Sequence, residues 1–104
     1  MITTTTDFIP NKKIRELLGI VRGNTIRSRG VGGDIVAGIQ KVFGGEIGAY
    51  VVSMNEAREE ALRKMEEEAQ ELGADAVINV RFTTGEVMPY AAEILAYGTA
   101  VKLG

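Results

Sequence analysis

The chain has 104 residues, with 12 basic and 14 acidic side chains, so its formal net charge is −2 at pH 7. This length predicts a single domain, and the lack of a basic surplus argues against a nucleic-acid partner. The sequence contains neither Cys nor His, which excludes thiol nucleophiles, disulfides, Cys/His zinc sites and histidine acid–base catalysis.

The N-terminal segment is predicted to form a short edge strand. Residues 2–6, with the sequence ITTTT, are β-branched, and such residues favour extended structure. The chain does not open with a charged stretch followed by an apolar one, which is the pattern of a secretory signal. It also has no apolar run long enough for a transmembrane helix. We therefore expect a cytoplasmic protein with no membrane partner.

The next segment, residues 14–27, is predicted to be a strand that is covered on both faces. Apolar residues occupy odd and even positions alike, as Leu17 and Leu18 show, and this is typical of a strand with two buried faces. A helix over residues 12–18 is the alternative. The pair Gly23-Asn24 indicates a bulge or a bend.

A glycine-rich loop follows and is the candidate anion site of the sequence. Arg27 and Arg29 precede Gly32 and Gly33, just before a short amphipathic helix that we predict from residue 34 to residue 43. Free N–H groups and the helix dipole at such a helix start favour an anion, and arginines can clamp it. The spacing is not that of a P-loop. The alternative is a glycine turn with solvated arginines.

The densest pattern of the chain predicts a long amphipathic helix between Gly45 and Gly73. Apolar residues recur every three or four positions, at Ile47, Tyr50, Met54, Ala57, Ala61, Met65, Ala69 and Leu72. A capping-box pattern at residues 53–56 would begin the helix at Met54, but the apolar period extends back to Ile47 and favours the longer helix. Gly73 is expected to end it.

Two strands are predicted to close the domain as an antiparallel hairpin. Residues 76–84 alternate in polarity, residues 84–90 form a connection that Pro89 interrupts, and residues 91–103 form the last strand. One face of the last strand carries Leu95, Tyr97, Thr99, Val101 and Leu103. The other carries small and apolar residues, namely Ile94, Ala96, Gly98 and Ala100.

These elements predict an α+β fold. We expect an antiparallel sheet of about three main strands packed on one long and one short helix, with a β-α-β-β core and an extra short N-terminal strand. A single layer of helices covers one face of a sheet. The other face, to which we assign Val77, Ile94, Ala96 and Ala100, stays apolar, so we expect a homo-oligomer in which a neighbouring copy covers it.

Three segments resemble the YbjQ-like family in their order and spacing. They are Gly44-Gly45 with Gly48-Ala49-Tyr50, Leu72-Gly73-Ala74-Asp75-Ala76-Val77, and Gly98-Thr99-Ala100-Val101-Lys102. The resemblance covers nearly the whole chain. It implies a dodecin-like subunit in ring-shaped homopentamers, and the family is commonly labelled as heavy-metal-binding.

The side chains of this chain that could bind a metal do not fit that label. Without Cys and His, its only soft ligands are the thioethers of four Met, so we predict no metal site and no cofactor. The leading interpretation is a non-enzymatic oligomeric scaffold or binding protein. The alternative is a carrier that holds a small molecule or an anion between subunits, and an enzyme ranks third.

Overall fold

The computed structural model describes residues 1–28, 46–89 and 91–104, and its elements form a mixed sheet covered by one helix. In chain order they are β1 (Ile2–Thr3), β2 (Ile14–Ser28), α1 (Glu46–Glu71), β3 (Ala76–Met88) and β4 (Ala91–Leu103). The strand order in the sheet is β1-β3-β4-β2. β4 pairs antiparallel with both β2 and β3, while β1 runs parallel to β3. Among the described residues, no helix has the length and apolar content needed to cross a membrane.

The α+β class is confirmed, whereas the prediction of an antiparallel sheet of about three strands is wrong in detail. The N-terminal segment adds a fourth, parallel strand: the amide of Thr4 donates to the carbonyl of Val77, and the amide of Val80 donates to the carbonyl of Thr4, each over 3.0 Å. A two-residue strand has too little sequence to indicate its partner or direction. The predicted short helix over residues 34–43 lies outside the described residues.

The structure corrects or settles the sequence-based boundaries of β2 and β3. β2 is a strand from Ile14 onward, so the alternative helix over residues 12–18 is wrong. β3 continues to Met88 through most of the predicted connection, because its ladder with β4 extends as far as the pair Met88 and Ala91. Backbone pairing over that length outweighs the weak strand propensity of Gly85 and Glu86.

The long helix begins at Glu46, which confirms the interpretation that extended it before the capping-box pattern. It ends as predicted at Gly73, whose φ of 78° places it in the left-handed region. The amide of Gly73 donates to the carbonyl of Gln70 over 2.9 Å, and the amide of Ala74 donates to the carbonyl of Ala69 over 3.0 Å. These two bonds satisfy carbonyls of the last turn in the manner of a glycine-capped helix end.

The main core lies between α1 and the sheet and is built largely from small residues. The helix contributes four fully buried side chains, those of Ala57, Ala61, Met65 and Ala69. The sheet contributes Val21, Val77, Val80, Ile94, Ala96 and Ala100. The assignment of Val77, Ile94, Ala96 and Ala100 to an uncovered face is therefore wrong. The small side chains of Ala96 and Ala100 let the helix backbone come close, so this face receives the helix.

The closest approach of helix and sheet occurs at Gly23. A Cβ atom built on this residue would lie 2.7 Å from Cβ of Lys64, and closer still to backbone atoms of Ala61 and Met65. No side chain fits there without moving α1 away from β2. The glycine at this position is thus a packing requirement, in place of the bulge or bend that the sequence suggested.

We predict that Gly23→Ala destabilises the fold by about 1–3 kcal/mol, because the added methyl group forces the helix off the strand. Gly85→Ala is the matched control, since a Cβ there meets nothing within 4 Å, and it should change the free energy of unfolding by no more than about 1 kcal/mol, in the stabilising direction if at all. Urea denaturation followed by circular dichroism measures both. Equal effects of the two substitutions would contradict this packing account.

Candidate functional site

The sheet face that points away from α1, called the outer face here, carries a row of exposed apolar side chains. Ala96 and Ala100 pack under the helix, so Tyr97 between them points to the outer face. The same alternation places Ile20 and Ile26 there, because Val21 and Thr25 face the helix. Leu17 also lies on this face, opposite Val101 in the adjoining strand. The outer row is defined as Leu17, Ile20, Ile26 and Tyr97.

These side chains are unusually accessible for their size. The exposed fractions are 69% for Leu17, 74% for Ile20, 55% for Ile26 and 36% for Tyr97. Single exposed apolar residues are common on protein surfaces, whereas several large ones on one face favour an interaction surface. Three of the four belong to the edge strand β2, where Arg22 and Asn24 lie on the same face between Ile20 and Ile26.

The N-terminal segment covers one end of the outer face. Ile9 forms a second buried cluster there with Ala76, Ile78 and Val101. The amide of Asn79 donates to the carbonyl of Thr6 over 2.9 Å and holds this segment in place. This segment covers β3 and the end of β4. It leaves the outer row exposed among the described residues.

Polar groups flank the aromatic member of the outer row. In the register of the sheet, Tyr97 lies between Arg22 of β2 and Arg81 of β3. The guanidinium of Arg81 donates from one nitrogen to the carbonyls of Thr5 (2.9 Å) and Val80 (2.8 Å). Arg81 is therefore held against the backbone of its own subunit, and Tyr97 has an arginine beside it on each neighbouring strand.

Sequence reasoning missed the outer row because of one glycine. Gly19 has a φ of 121° and lies at a shift in the register between β2 and β4. The shift adds a residue to β2, so Leu17 and Ile20 share a face although they are three positions apart. The signal that could have revealed part of the row is the spacing of Ile20, Arg22, Asn24 and Ile26, which alternates strictly after the glycine.

Of the four residues of the predicted anion site, Arg27 lies within the described residues. Its Nη2 atom lies 3.1 Å from Oε2 of Glu60 on α1, and Nζ of Lys64 lies 3.8 Å from the other oxygen of that carboxylate. Arg29, Gly32 and Gly33 lie outside the described residues. The described part of the site is therefore an ion pair that already occupies one side of the guanidinium.

The groove around Arg27 has no cationic surplus in its described part. It is lined by Arg27, Asn55, Glu56, Glu59, Glu60 and Arg63. Three carboxylates thus face two guanidinium groups, which opposes anion binding. One feature favours it: Nε of Arg27 is buried and has no hydrogen-bond partner among the described residues, and buried donors of this kind are usually satisfied.

Comparison with known proteins assigns the chain to a family along its whole length. A family model described as "Putative heavy-metal-binding" matches residues 1–104. The chain is 54% identical over 103 residues to a UPF0145 protein of Archaeoglobus fulgidus, covering 99% of this chain and 95% of that relative. It is 50% identical over 103 residues to a UPF0145 protein of Vibrio parahaemolyticus, covering 99% and 98%.

A solved structure supports the fold. The crystal structure of a protein with unknown function from Pediococcus pentosaceus, which belongs to the DUF74 family, matches with a TM-score of 0.67. The match covers 100% of this chain and 98% of that one, at 18% identity. At this identity the likeness concerns the fold and carries no statement about ligands.

The residues of this chain do not fit the heavy metal in that family description. The sequence has no Cys and no His, so thioethers are its soft ligands. The thioether of Met65 on α1 is fully buried in the core. Within residues 1–28, 46–89 and 91–104, no three carboxylates come together as a set that could hold a cation. We therefore propose no metal-dependent function for this chain.

We predict that metal removal has no effect on this protein. Treatment with EDTA should leave the thermal midpoint unchanged, and adding Zn²⁺ or Cd²⁺ should not raise it, because a ligand stabilises a fold only when it binds the folded state. Thermal denaturation of the treated and untreated protein measures this. A midpoint that falls with the chelator and recovers with one of these ions would contradict the donor-set argument.

Proposed function

Since this chain belongs to the YbjQ family, as its sequence motifs predicted, we propose that it is one subunit of a homo-oligomeric scaffold or binding protein. The observation that carries this proposal is the outer row, Leu17, Ile20, Ile26 and Tyr97, exposed on a sheet face that the helix does not cover. We propose that a second copy of the chain covers it. The resemblance to the family implies a ring of five copies as the form of this assembly.

The energetics support burial of the outer row. Fully burying one Leu or Ile side chain contributes about 1.5–3 kcal/mol. Leu17, Ile20 and Ile26 each keep more than half of their surface exposed, so covering them together adds several kcal/mol to association. Two copies that meet through the outer face would also exclude water from the ring of Tyr97 on β4. Tyr is amphipathic and is enriched at interfaces.

The shape of the subunit also supports association. Its radius of gyration is 16.9 Å, whereas a compact domain of about 100 residues has roughly 13 Å. The long strands account for the difference, because the 15 residues of β2 extend over about 50 Å at the usual rise per residue. In the described residues one helix covers one face of this elongated sheet, and a neighbouring copy can supply cover for the outer face.

We propose that the protein acts by binding and not by catalysis. Its sequence lacks the side chains of the common nucleophile–base systems, namely Cys and His. The charged groups placed near the groove are engaged with each other, as the pair of Arg27 and Glu60 shows. In this reading the surface of the assembly, and not a reactive side chain, carries the function.

A second candidate is a carrier that holds a small anion between subunits. The buried Nε of Arg27, with no partner among the described residues, supports it. Glu60 opposes it, because its carboxylate already neutralises the guanidinium. An anion at Nε would have to compete with this carboxylate for the charge of the same guanidinium, so any affinity of the wild-type protein should be weak.

The oligomer proposal predicts that Leu17→Glu dissociates the assembly. A carboxylate buried in an apolar contact is strongly unfavourable, so the mass in solution should fall from that of the oligomer to that of the subunit. Leu72→Glu is the matched control: it makes the same chemical change at a side chain that is 46% exposed at the helix end, off the outer face. Light scattering coupled to size-exclusion chromatography measures both masses.

Circular dichroism must show that both variants remain folded, which we expect because Leu17 contributes little to the core of the subunit. An unchanged oligomer in Leu17→Glu would overturn the assignment of the outer row as the interface. Dissociation in both variants would show that the effect is not specific to this face.

The anion proposal predicts opposite effects of two substitutions at the ion pair. Glu60→Gln removes the competing charge and should tighten the binding of inorganic phosphate, by about tenfold if it removes 1.4 kcal/mol of competition. Arg27→Gln should abolish binding. Isothermal titration calorimetry with inorganic phosphate measures both. Absence of binding in the wild-type protein and in Glu60→Gln would rule out this carrier.

A further inference from the structure

Two arginines on the outer face lie on either side of Tyr97. Arg22 of β2 and Arg81 of β3 are the cross-strand neighbours of Tyr97 in β4, and all three residues are exposed. Neighbouring strands are about 4.8 Å apart, so the Cα atoms of the two arginines are separated by roughly 10 Å. Side chains stand nearly upright on a sheet, so both guanidinium groups can reach a ligand above the ring of Tyr97. These three residues are called the arginine site here.

No carboxylate neutralises the arginine site among the described residues. The ion pairs in this part of the chain are those of Glu60 on α1. Arg22 and Arg81 form none, and Asp7 of the N-terminal segment pairs with neither of them. Nη1 of Arg81 donates to two backbone carbonyls, which leaves Nε and Nη2 for a ligand. Because these carbonyls are neutral acceptors, both positive charges remain uncompensated.

The surroundings of the arginine site on the outer face are uncharged as well. The next residues along the three strands on this face are Ile20 and Asn24 on β2, Leu95 and Thr99 on β4, and Ile78 and Thr83 on β3. The carboxylate of Glu93 lies farther along β4, where it accepts a hydrogen bond from Nδ2 of Asn24 over 3.2 Å. The arginine site is therefore a local concentration of positive charge on a largely apolar face.

The proposed homo-oligomer encloses this charge in a contact between copies. Tyr97 belongs to the outer row, so a second copy that covers its ring also covers the arginines beside it. An unpaired charge enclosed in an apolar contact is strongly unfavourable. Contact with the ring of Tyr97 can hold a guanidinium in place, but it does not neutralise the charge. The assembly therefore requires a negative charge at the arginine site.

We propose that the arginine site binds a phosphate group between two copies of the chain. This inference rests on the proposed homo-oligomer and gives it a ligand class and a place for that ligand. A planar guanidinium presents paired N–H donors that match the oxygens of phosphate, and the hydroxyl of Tyr97 supplies a further donor. Two positive charges match a dianion, which favours phosphate over a single carboxylate. The site lies on the face opposite to Arg27 and is separate from the groove at that residue.

Isothermal titration calorimetry of the full chain with inorganic phosphate, at constant ionic strength, tests this site. Arg22→Gln and Arg81→Gln should each weaken binding by at least about tenfold, because each removes a charged donor of the ligand. Arg58→Gln is the matched control. It removes the same charge from an exposed residue of α1 that donates to Oδ1 of Asn55 over 2.8 Å, and it should bind phosphate as the wild type does.

Tyr97→Phe tests the third donor without changing the charge or the ring. It should weaken phosphate binding by about tenfold, since a hydrogen bond to a charged acceptor is lost. Phenyl phosphate distinguishes the two sources of the phosphate group. Tighter binding of phenyl phosphate than of inorganic phosphate would identify a phosphate monoester as the ligand, whereas equal or weaker binding would identify the free ion.

Sedimentation velocity of the dilute protein measures whether the ligand and the assembly are linked. A ligand that binds the assembled form stabilises it by mass action. Phosphate at about 100 times its Kd should therefore strengthen the assembly by about 100-fold for each site, relative to chloride of the same ionic strength. Arg22→Gln should lose this dependence on phosphate.

The outcomes separate this inference from the proposed function. A wild-type oligomer that binds no phosphate would overturn the site and leave the oligomer standing; its dissociation in Arg22→Gln would show that a carboxylate of the second copy supplies the charge. Binding that is lost in Arg27→Gln and retained in Arg22→Gln would assign the anion to the groove and also overturn the site. A monomer whose phosphate binding is lost in both Arg22→Gln and Arg81→Gln would support the site and contradict the oligomer.

Discussion

The close contact between α1 and β2 determines how the rest of this structure is arranged. The contact is possible because Gly23 has no side chain and because Ala57, Ala61 and Ala69 present a shallow helix surface. Dispersion and burial on this side increase as the backbones approach each other. The same contact brings Lys64 and Glu68 to the edge of β2, where they occupy backbone groups at Asn24 and Arg22. The contact between α1 and β2 thus determines which face of the sheet the helix covers, and it also provides hydrogen-bond partners at the free edge of β2.

The consequence for function lies on the opposite side of the sheet. In the described part of the chain one helix covers one face of the sheet, and the N-terminal segment covers one end of the outer face through Ile9. Leu17, Ile20 and Ile26 remain exposed. We propose a neighbouring copy of the chain as their cover.

Much of the fold could be predicted from the sequence, because its strongest patterns are local. The helix period from Ile47 onward and the stop at Gly73 gave the correct helix, and alternation gave the last two strands. What could not be predicted is non-local. Nothing in residues 2–6 indicates that they pair with β3 in parallel, and a strand with apolar residues on both faces does not show which face meets the helix. That ambiguity reversed the assignment of Ile94, Ala96 and Ala100.

The candidate site was hidden for the same reason. The outer row depends on the register shift at Gly19, and a shift of one residue moves every following side chain to the other face. The sequence pointed instead to Arg27 and the glycine loop, where the structure shows a guanidinium held by Glu60. The element count alone predicts an additional covering layer, because one layer of helices covers one face of a sheet.

The central claim is that the outer face of this subunit is an interface between copies of the same chain. Sedimentation velocity of the wild-type protein, from nanomolar to micromolar concentration, tests it most directly. We predict a single species whose mass is a whole multiple of the 11.2 kDa subunit and stays constant over the micromolar range. A well-behaved species of 11.2 kDa at micromolar concentration would contradict the claim, because the exposed apolar row would then be stable in water without a partner.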